Sequence, residues 1–384
     1  MKALHHTTNR HSRAHAKSGR TAALVLAALT GSACDAVLHP AVQNTHNSYG
    51  DEEHIVIPED VADAANVLPN DTPNLPGYHR AQILVSIDAA DNPSSNVDEM
   101  ALFTVSGVFD AGNAPQIDAF VWDDDNADLD GKGRLGLGAG TLNGQTLDVH
   151  LDKAVAQDWD EPCPAQDPSY GLVECLDGDI EQVFSVVDNY VFLAPHGGNI
   201  EPHTDEQAQA ASTHSFAYQN GTFDMADHSL AWFLKGFRSG GGAHKHFHIA
   251  SEDIGRGSFP KLDLIGPKVD NLFNGFPYAV AFHGMSNKPA KYTIYVGGGS
   301  SLCVRNQVVA TLTAVLANES SVSVVLSPDP KLDGTSALNL VNWLTLNGAG
   351  GIQLEQTSAV REDYGTAVAH AVAELLPQLD GLCP

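Results

Sequence analysis

Between Ala81 and Leu151 short apolar runs alternate with polar breaks. AQILVSIDA, ALFTVSGVF, IDAFVW, GRLGLG and TLDVHL are each bounded by Gly, Asn, Asp or Pro. Period-two alternation between such breakers predicts strands joined by turns, hence a small all-β, sandwich-like domain over residues 79–185. Beyond Val183 the texture changes. YVFLA, HFHIA, YAVAFH, TIYVGG, VSVVLS and GIQLEQ read as strands, and helix-like stretches at 205–217, 300–316 and 363–376 alternate with them. This pattern predicts an α/β fold over residues 186–384, a three-layer αβα arrangement around a mixed sheet. Ligands of such sheets bind in the loops at strand carboxyl ends. Residues 35–78 are polar and rich in Asp, Asn and Pro, and they read as a linker.

The N-terminus adds an address. Lys2, Arg10, Arg13, Lys17 and Arg20 precede an apolar run at 21–30 and small residues leading to Cys34. Residues 1–34 therefore predict a secretory signal and an exported bacterial protein, secreted, periplasmic or held at the surface. LTGSAC resembles a lipoprotein site, with Gly31 where Leu is usual. Membrane contact is expected only through a lipid on Cys34. The remaining four cysteines, Cys163, Cys175, Cys303 and Cys383, fit two disulfides in an oxidising compartment. Cys163 with Cys175 would close a short acidic loop, and Cys303 with Cys383 would tie the C-terminus to a helix. No C-x-x-C spacing is present, which argues against a cysteine zinc site.

Charge is uneven as well as large. The formal net charge is −27, and residues 35–185 carry 29 acidic against four basic side chains. Such a field excludes nucleic acid as a partner. The stretch FVWDDDNADLDGKGRLGLG concentrates Asp123, Asp125, Asp128 and Asp130, oxygen ligands spaced as Ca²⁺ sites often are. Calcium binding and a solvated acidic loop are both open readings of this segment.

The candidate chemistry lies in the C-terminal half. YVFLA runs into APHGGNIEPHT, where His196 and Glu201 are five residues apart and need the Gly-Gly turn to meet. YAVAFHGM delivers His283 at a strand end, and GIQLEQTSAVR carries Glu355 near another. Two His and one Glu with a further carboxylate are what a catalytic zinc site with a general base requires. Arg361 is a candidate clamp for a substrate carboxylate, because guanidinium binds carboxylate in two places. His248 is a candidate substrate contact. His244, His246 and His248, alternating on an expected strand, are read as mostly non-metal.

Taken in order, APHGGNIEPHT, HFHIAS, AFHGM, YVGGG before a helix, and GIQLEQTSAVR resemble the poly-gamma-glutamate hydrolase family over about residues 186–376. The resemblance implies a zinc-carboxypeptidase-like fold and cleavage of gamma-linked polyglutamate, a polymeric, carboxylate-bearing amide. It implies zinc on His196, Glu201 and His283, with Glu355 at the position of the general base. Three positions depart from the family pattern: His203 replaces a glycine-like position, Ala250 a Thr, and Trp343 a basic residue. The loss of that cation favours an alternative, an exported zinc amidase of the same fold acting on cell-wall or other N-acyl amino acid substrates. A non-catalytic acidic surface binding protein is the third reading.

Overall fold

The computed structural model describes residues 163, 166–254, 258–267, 274–287, 290–319 and 321–384, together with the N-terminal segments 36–38, 40–43, 54–58, 82–87, 99–109, 119–122, 134–135 and 147–150. The signal segment 1–34 with Cys34, and the candidate calcium residues Asp123, Asp125, Asp128 and Asp130, lie outside the described residues.

The front half forms one seven-stranded sheet. Its strands are β1 (Ala36–Leu38), β2 (Pro40–Gln43), β3 (His54–Pro58), β4 (Gln82–Ile87), β5 (Glu99–Phe109), β6 (Ala119–Trp122) and β7 (Leu147–His150), in the order β1-β7-β4-β5-β3-β6-β2. β3 runs parallel to β5, and β2 parallel to β6. Residues 35–78, expected to be a linker, thus contribute three strands. Their short apolar runs pair with distant strands, a contact that local polarity does not reveal. GRLGLG reads as a strand, but Arg134 and Leu135 form a turn.

The C-terminal half is built on a second seven-stranded sheet. It comprises β8 (Tyr170–Asp177), β9 (Tyr190–Gly198), β12 (Ser229–Arg238), β13 (Tyr278–Met285), β14 (Thr293–Gly297), β15 (Ser323–Leu326) and β16 (Gly351–Thr357), in the order β15-β14-β16-β13-β9-β12-β8. The hairpin β10 (Ser215–Tyr218) and β11 (Gly221–Asp224) stands apart from it. β12, β9, β13 and β16 are mutually parallel, while β8 and β14 run against them. The helices are α1 (Ile180–Ser185), α2 (Thr204–Ser212), α3 (Ala243–Phe247), α4 (Pro260–Ile265), α5 (Leu302–Val315), α6 (Leu340–Trp343), α7 (Ser358–Leu375) and α8 (Leu379–Leu382).

Both faces of this sheet are covered, and strand alternation explains how. Phe192, Ala194, Val280, Phe282, Ile352 and Leu354 point to one core, shared with α2, α5 and α7. Val191, Leu193, Ala279, Ala281, Leu230 and Trp232 point to the other, with α3, α4 and α6. Near-continuous apolar runs are what a parallel sheet buried on two sides demands. The arrangement is α/β, three-layer αβα, as the alternation of elements predicts. Leu84 and Leu102 of the front sheet join the second core, so the front sheet packs on that face.

Several boundaries move. β8, expected within the acidic front domain, is an edge strand of the second sheet, so that half begins near Tyr170 rather than residue 186. HFHIA alternates like a strand, but residues 243–247 are helix α3. The helix expected at 205–217 stops at Ser212 and yields to β10. α7 starts at Ser358, five residues before the expected Asp363, which turns Arg361 inward. Of the three connectivities open to the four cysteines, the structure has Cys163 with Cys175 and Cys303 with Cys383. Among the described residues no helix is long and apolar enough to cross a membrane.

Candidate active site

The parallel strands β9, β13 and β16 end together, and each delivers one polar side chain there. Strand β9 brings His196, 3 % exposed. Gly198 then adopts φ 65°, left-handed backbone that glycine takes without strain. The chain doubles back, the Glu201 amide donates to the His196 carbonyl oxygen at 2.8 Å, and Glu201 Oε1 comes within 3.2 Å of His196 Nδ1. His203, at the glycine-like position two residues on, also sits left-handed at φ 75°.

His283 and Glu355 face each other in register on the parallel pair β13 and β16. Registered residues of neighbouring parallel strands point to one side, so the two side chains stand together. His283 Nδ1 lies 3.1 Å from His196 Nδ1 and 3.6 Å from Glu201 Oε2. The Gly284 amide donates to Glu201 Oε2 at 2.8 Å. Glu355 Oε1 accepts from Gln353 Nε2 at 2.9 Å, and Gln353 Oε1 accepts from Asn339 Nδ2 at 2.9 Å.

These contacts set protonation. His196 Nε2 lies 2.7 Å from the Ile249 carbonyl oxygen. A carbonyl only accepts, so Nε2 carries a proton, and Nδ1 faces Glu201. Burial works against ionisation of Glu201, but His196 and His283 outweigh it and hold its carboxyl well below the usual range. Glu355 goes the other way. Burial pushes it up to about 7, with the charge of Glu201 adding to the effect and His283, Gln353 and Arg361 opposing it.

The residues singled out from sequence divide into three groups. His196, Glu201, His283 and Glu355 all line one cleft of about 650 Å³. His248 lines it as well, but as part of a histidine stack: its ring lies 4.1 Å from that of His196 and 4.4 Å from that of His244. His196, Glu201 and His248 offer ligand atoms within 4.8 Å of one another, so His248 belongs to the cluster rather than only to a substrate wall. The alternating-strand reading of His244, His246 and His248 fails because α3 carries His244 one helical turn before its C-cap His248, and the two rings stack. Arg361 is the third case. Expected as a clamp in the cleft, it is buried behind it. Its Nε donates to the Pro202 carbonyl at 2.8 Å and its Nη1 to the Gln356 carbonyl at 2.5 Å.

Two features have no sequence signal that places them. Lys331, in the loop between β15 and α6, is the lysine or arginine that lines the cleft among the described residues. Its flanking Pro-Asp-Pro and Asp-Gly mark a turn, but nothing local says what the turn faces. Trp343, where the family pattern suggests a lost cation beside the cleft, packs against Gly266 in the second core instead.

The donor set fits a zinc ion. Two imidazole Nδ1 atoms and a carboxylate converge within 3.1–3.6 Å, the ligand types and spacing of a three-residue zinc centre. The opposite nitrogen of His196 is tied to a backbone carbonyl, as ligand histidines usually are.

Among solved structures, a bacteriophage poly-gamma-glutamate hydrolase is similar at 20% identity and a TM-score of 0.38, covering 57% of this chain and 94% of that one. A zinc-free apo structure of YNDL is similar at 21% identity and a TM-score of 0.34, covering 56% and 92%. A metallo-carboxypeptidase from Burkholderia cenocepacia is similar at 10% identity and a TM-score of 0.32, covering 79% and 81%. A comparison with curated proteins finds no match. The model of the poly-gamma-glutamate hydrolase family matches residues 179–370, half of the chain and a span that contains His196, Glu201, His248, His283 and Glu355, and the chain belongs to that family.

Proposed function

We propose that this protein is a zinc-dependent amide hydrolase acting on gamma-linked, carboxylate-bearing polymers. The observation that carries the reading is the buried convergence of His196, Glu201 and His283 at the ends of β9 and β13, with Glu355 of β16 in register beside His283. His196 Nδ1, Glu201 and His283 Nδ1 would hold the ion. His283 is preferred over His248 because its Nδ1 lies 3.6 Å from Glu201 Oε2, while His248 Nε2 stays 4.0 Å from Glu201 Oε1. When bound, zinc supplies Lewis acidity toward an amide carbonyl and acidifies water.

The chain's own residues do the rest. Glu355, ionised, takes the proton of the attacking water and returns it to the leaving amine nitrogen. Gln353, itself held by Asn339, fixes the Glu355 carboxylate through its amide. Lys331 pairs with a substrate carboxylate, the role that the sequence alone suggests for Arg361. Arg361 instead staples the Glu201 loop to the end of β16.

The test is zinc content and gamma-glutamyl amidase activity across single variants. His196→Ala, Glu201→Gln and His283→Ala are expected to lose zinc. His248→Ala is expected to keep it, and Glu355→Gln to keep zinc while losing turnover. Full zinc retention in His196→Ala would sink the assignment. A panel of gamma-linked and alpha-linked substrates separates polyglutamate from cell-wall amides.

A further inference from the structure

α3 leads directly into His248 and is five residues long, too short to hold its own conformation in water. Its place is set by partners, β12 of the second sheet on one side and β5 of the front sheet on the other. His246 Nδ1 donates to the Met100 carbonyl of β5 at 2.9 Å. Arg238, at the end of β12, pairs with Glu99 through two nitrogens at 2.9 and 3.3 Å and donates to the Gly241 carbonyl at 2.6 Å, just before α3. Arg134, 4 % exposed, spans the gap directly. Its Nε donates to the Leu102 carbonyl at 2.6 Å, and its Nη2 to the carbonyl of His248. The next carbonyl along the chain, that of Ile249, receives His196 Nε2.

We propose that the front sheet is part of the active-site framework, and that Arg134 is a positioning residue for His196 and His248, acting through the His248–Ile249 backbone. A buried guanidinium shared between two carbonyls fixes their separation. Leu102 lies on β5, the middle strand of the front sheet, and is buried in the second core, so the Ile249 oxygen is held where it meets His196 Nε2. This gives the front half a function independent of any ligand of its own. The metal consequence rests on the zinc reading above, whereas the hydrogen-bond consequence does not.

The test uses the full chain with Arg134→Ala, Arg134→Lys and Ser258→Ala. Ser258 accepts from the Gln82 amide at 2.7 Å, a contact of the front sheet away from α3. Two readouts are needed: zinc affinity by chelator competition, and solvent exchange of the His196 ring N–H in the metal-free protein by NMR. Arg134→Ala is expected to weaken zinc binding by about 10- to 100-fold, the usual effect of removing a group that orients a ligand, and to speed the exchange. Arg134→Lys recovers part of both, and Ser258→Ala lowers Tm while changing neither. The proposal is overturned if Arg134→Ala leaves both readouts within about twofold of the parent, or if Ser258→Ala at an equal loss of Tm reproduces its effects. A parent protein that binds no zinc refutes the metal reading, and the exchange measurement then decides the positioning role alone.

Discussion

At the residue scale, the site depends on opposite treatment of two buried carboxyls. Glu201 is flanked by imidazoles and a backbone amide and stays ionised, whereas Glu355 is pushed up to about 7 chiefly by burial. As the proposed base, Glu355 must be ionised to act, so activity is expected to fall as pH drops through its pKa. A bound cation favours the ionised form and moves that limb lower. The acid limb of kcat/KM is therefore expected at or below about pH 7. Glu355→Gln should abolish this limb together with turnover, and a limb unchanged in the residual activity would assign it to another group. Gly284 is a second sensitive point. A Cβ there would collide with the Arg361 guanidinium, while the Gly284 amide holds Glu201. Gly284→Ala is expected to cost about 1–3 kcal/mol by overpacking and to weaken zinc binding, measured by urea denaturation and metal content. Unchanged stability would mean that Arg361 moves freely, against its two carbonyl bonds.

At the scale of elements, strands are more legible than helices. β9, β13 and β16 are apolar almost throughout because each is buried on both faces, and that uniformity is visible locally. β12 has the same character in SLAWFLKGFR, and Ser239 with the glycines at 240–242 closes it. α3 defies the local pattern, because HFHIA alternates like a strand. The three glycines before it and the Arg134 and Met100 contacts favour a helix, and only the contacts are decisive. The C-terminal helices depend on a covalent tie. Cys303 lies in the first turn of α5, Cys383 follows α8, and the bond spans 80 residues. A ring of that size restricts the unfolded chain by roughly 4–5 kcal/mol in the chain-entropy model. Replacing both cysteines with serine is expected to lower Tm by on the order of 10 °C. A shift under about 2 °C would show that packing of α5 on α7 suffices without the bond.

For the whole molecule, charge and cleft oppose each other. The chain carries a net charge of −27, yet the proposed substrate is a polyanion. Long-range repulsion slows encounter, and salt screens it over about 8–10 Å at physiological strength. The value of kcat/KM on polyglutamate is therefore expected to rise severalfold between low and physiological salt, while that for an uncharged gamma-amide stays flat. Lys331→Met should lower the polymer value at every ionic strength. A polymer rate that falls with salt in the parent would mean that Lys331 and its surroundings outweigh the acidic field.

The residue types of the proposed metal site and their order along the chain are legible in the amino-acid sequence by itself. A histidine or carboxylate at the end of a buried strand stands out locally, and so do paired cysteines and the layered α/β pattern. Tertiary structure decided the rest. His248 joins the cluster because a helical turn, not a strand, brings it there. Arg361 leaves the cleft because α7 begins early, and Lys331 enters because its loop folds over the sheet. The front strands at 36–58 and the Arg134 contact are set by partners far along the chain. Local chemistry specifies which groups are available, whereas their separation in space depends on distant pairings that no local window contains.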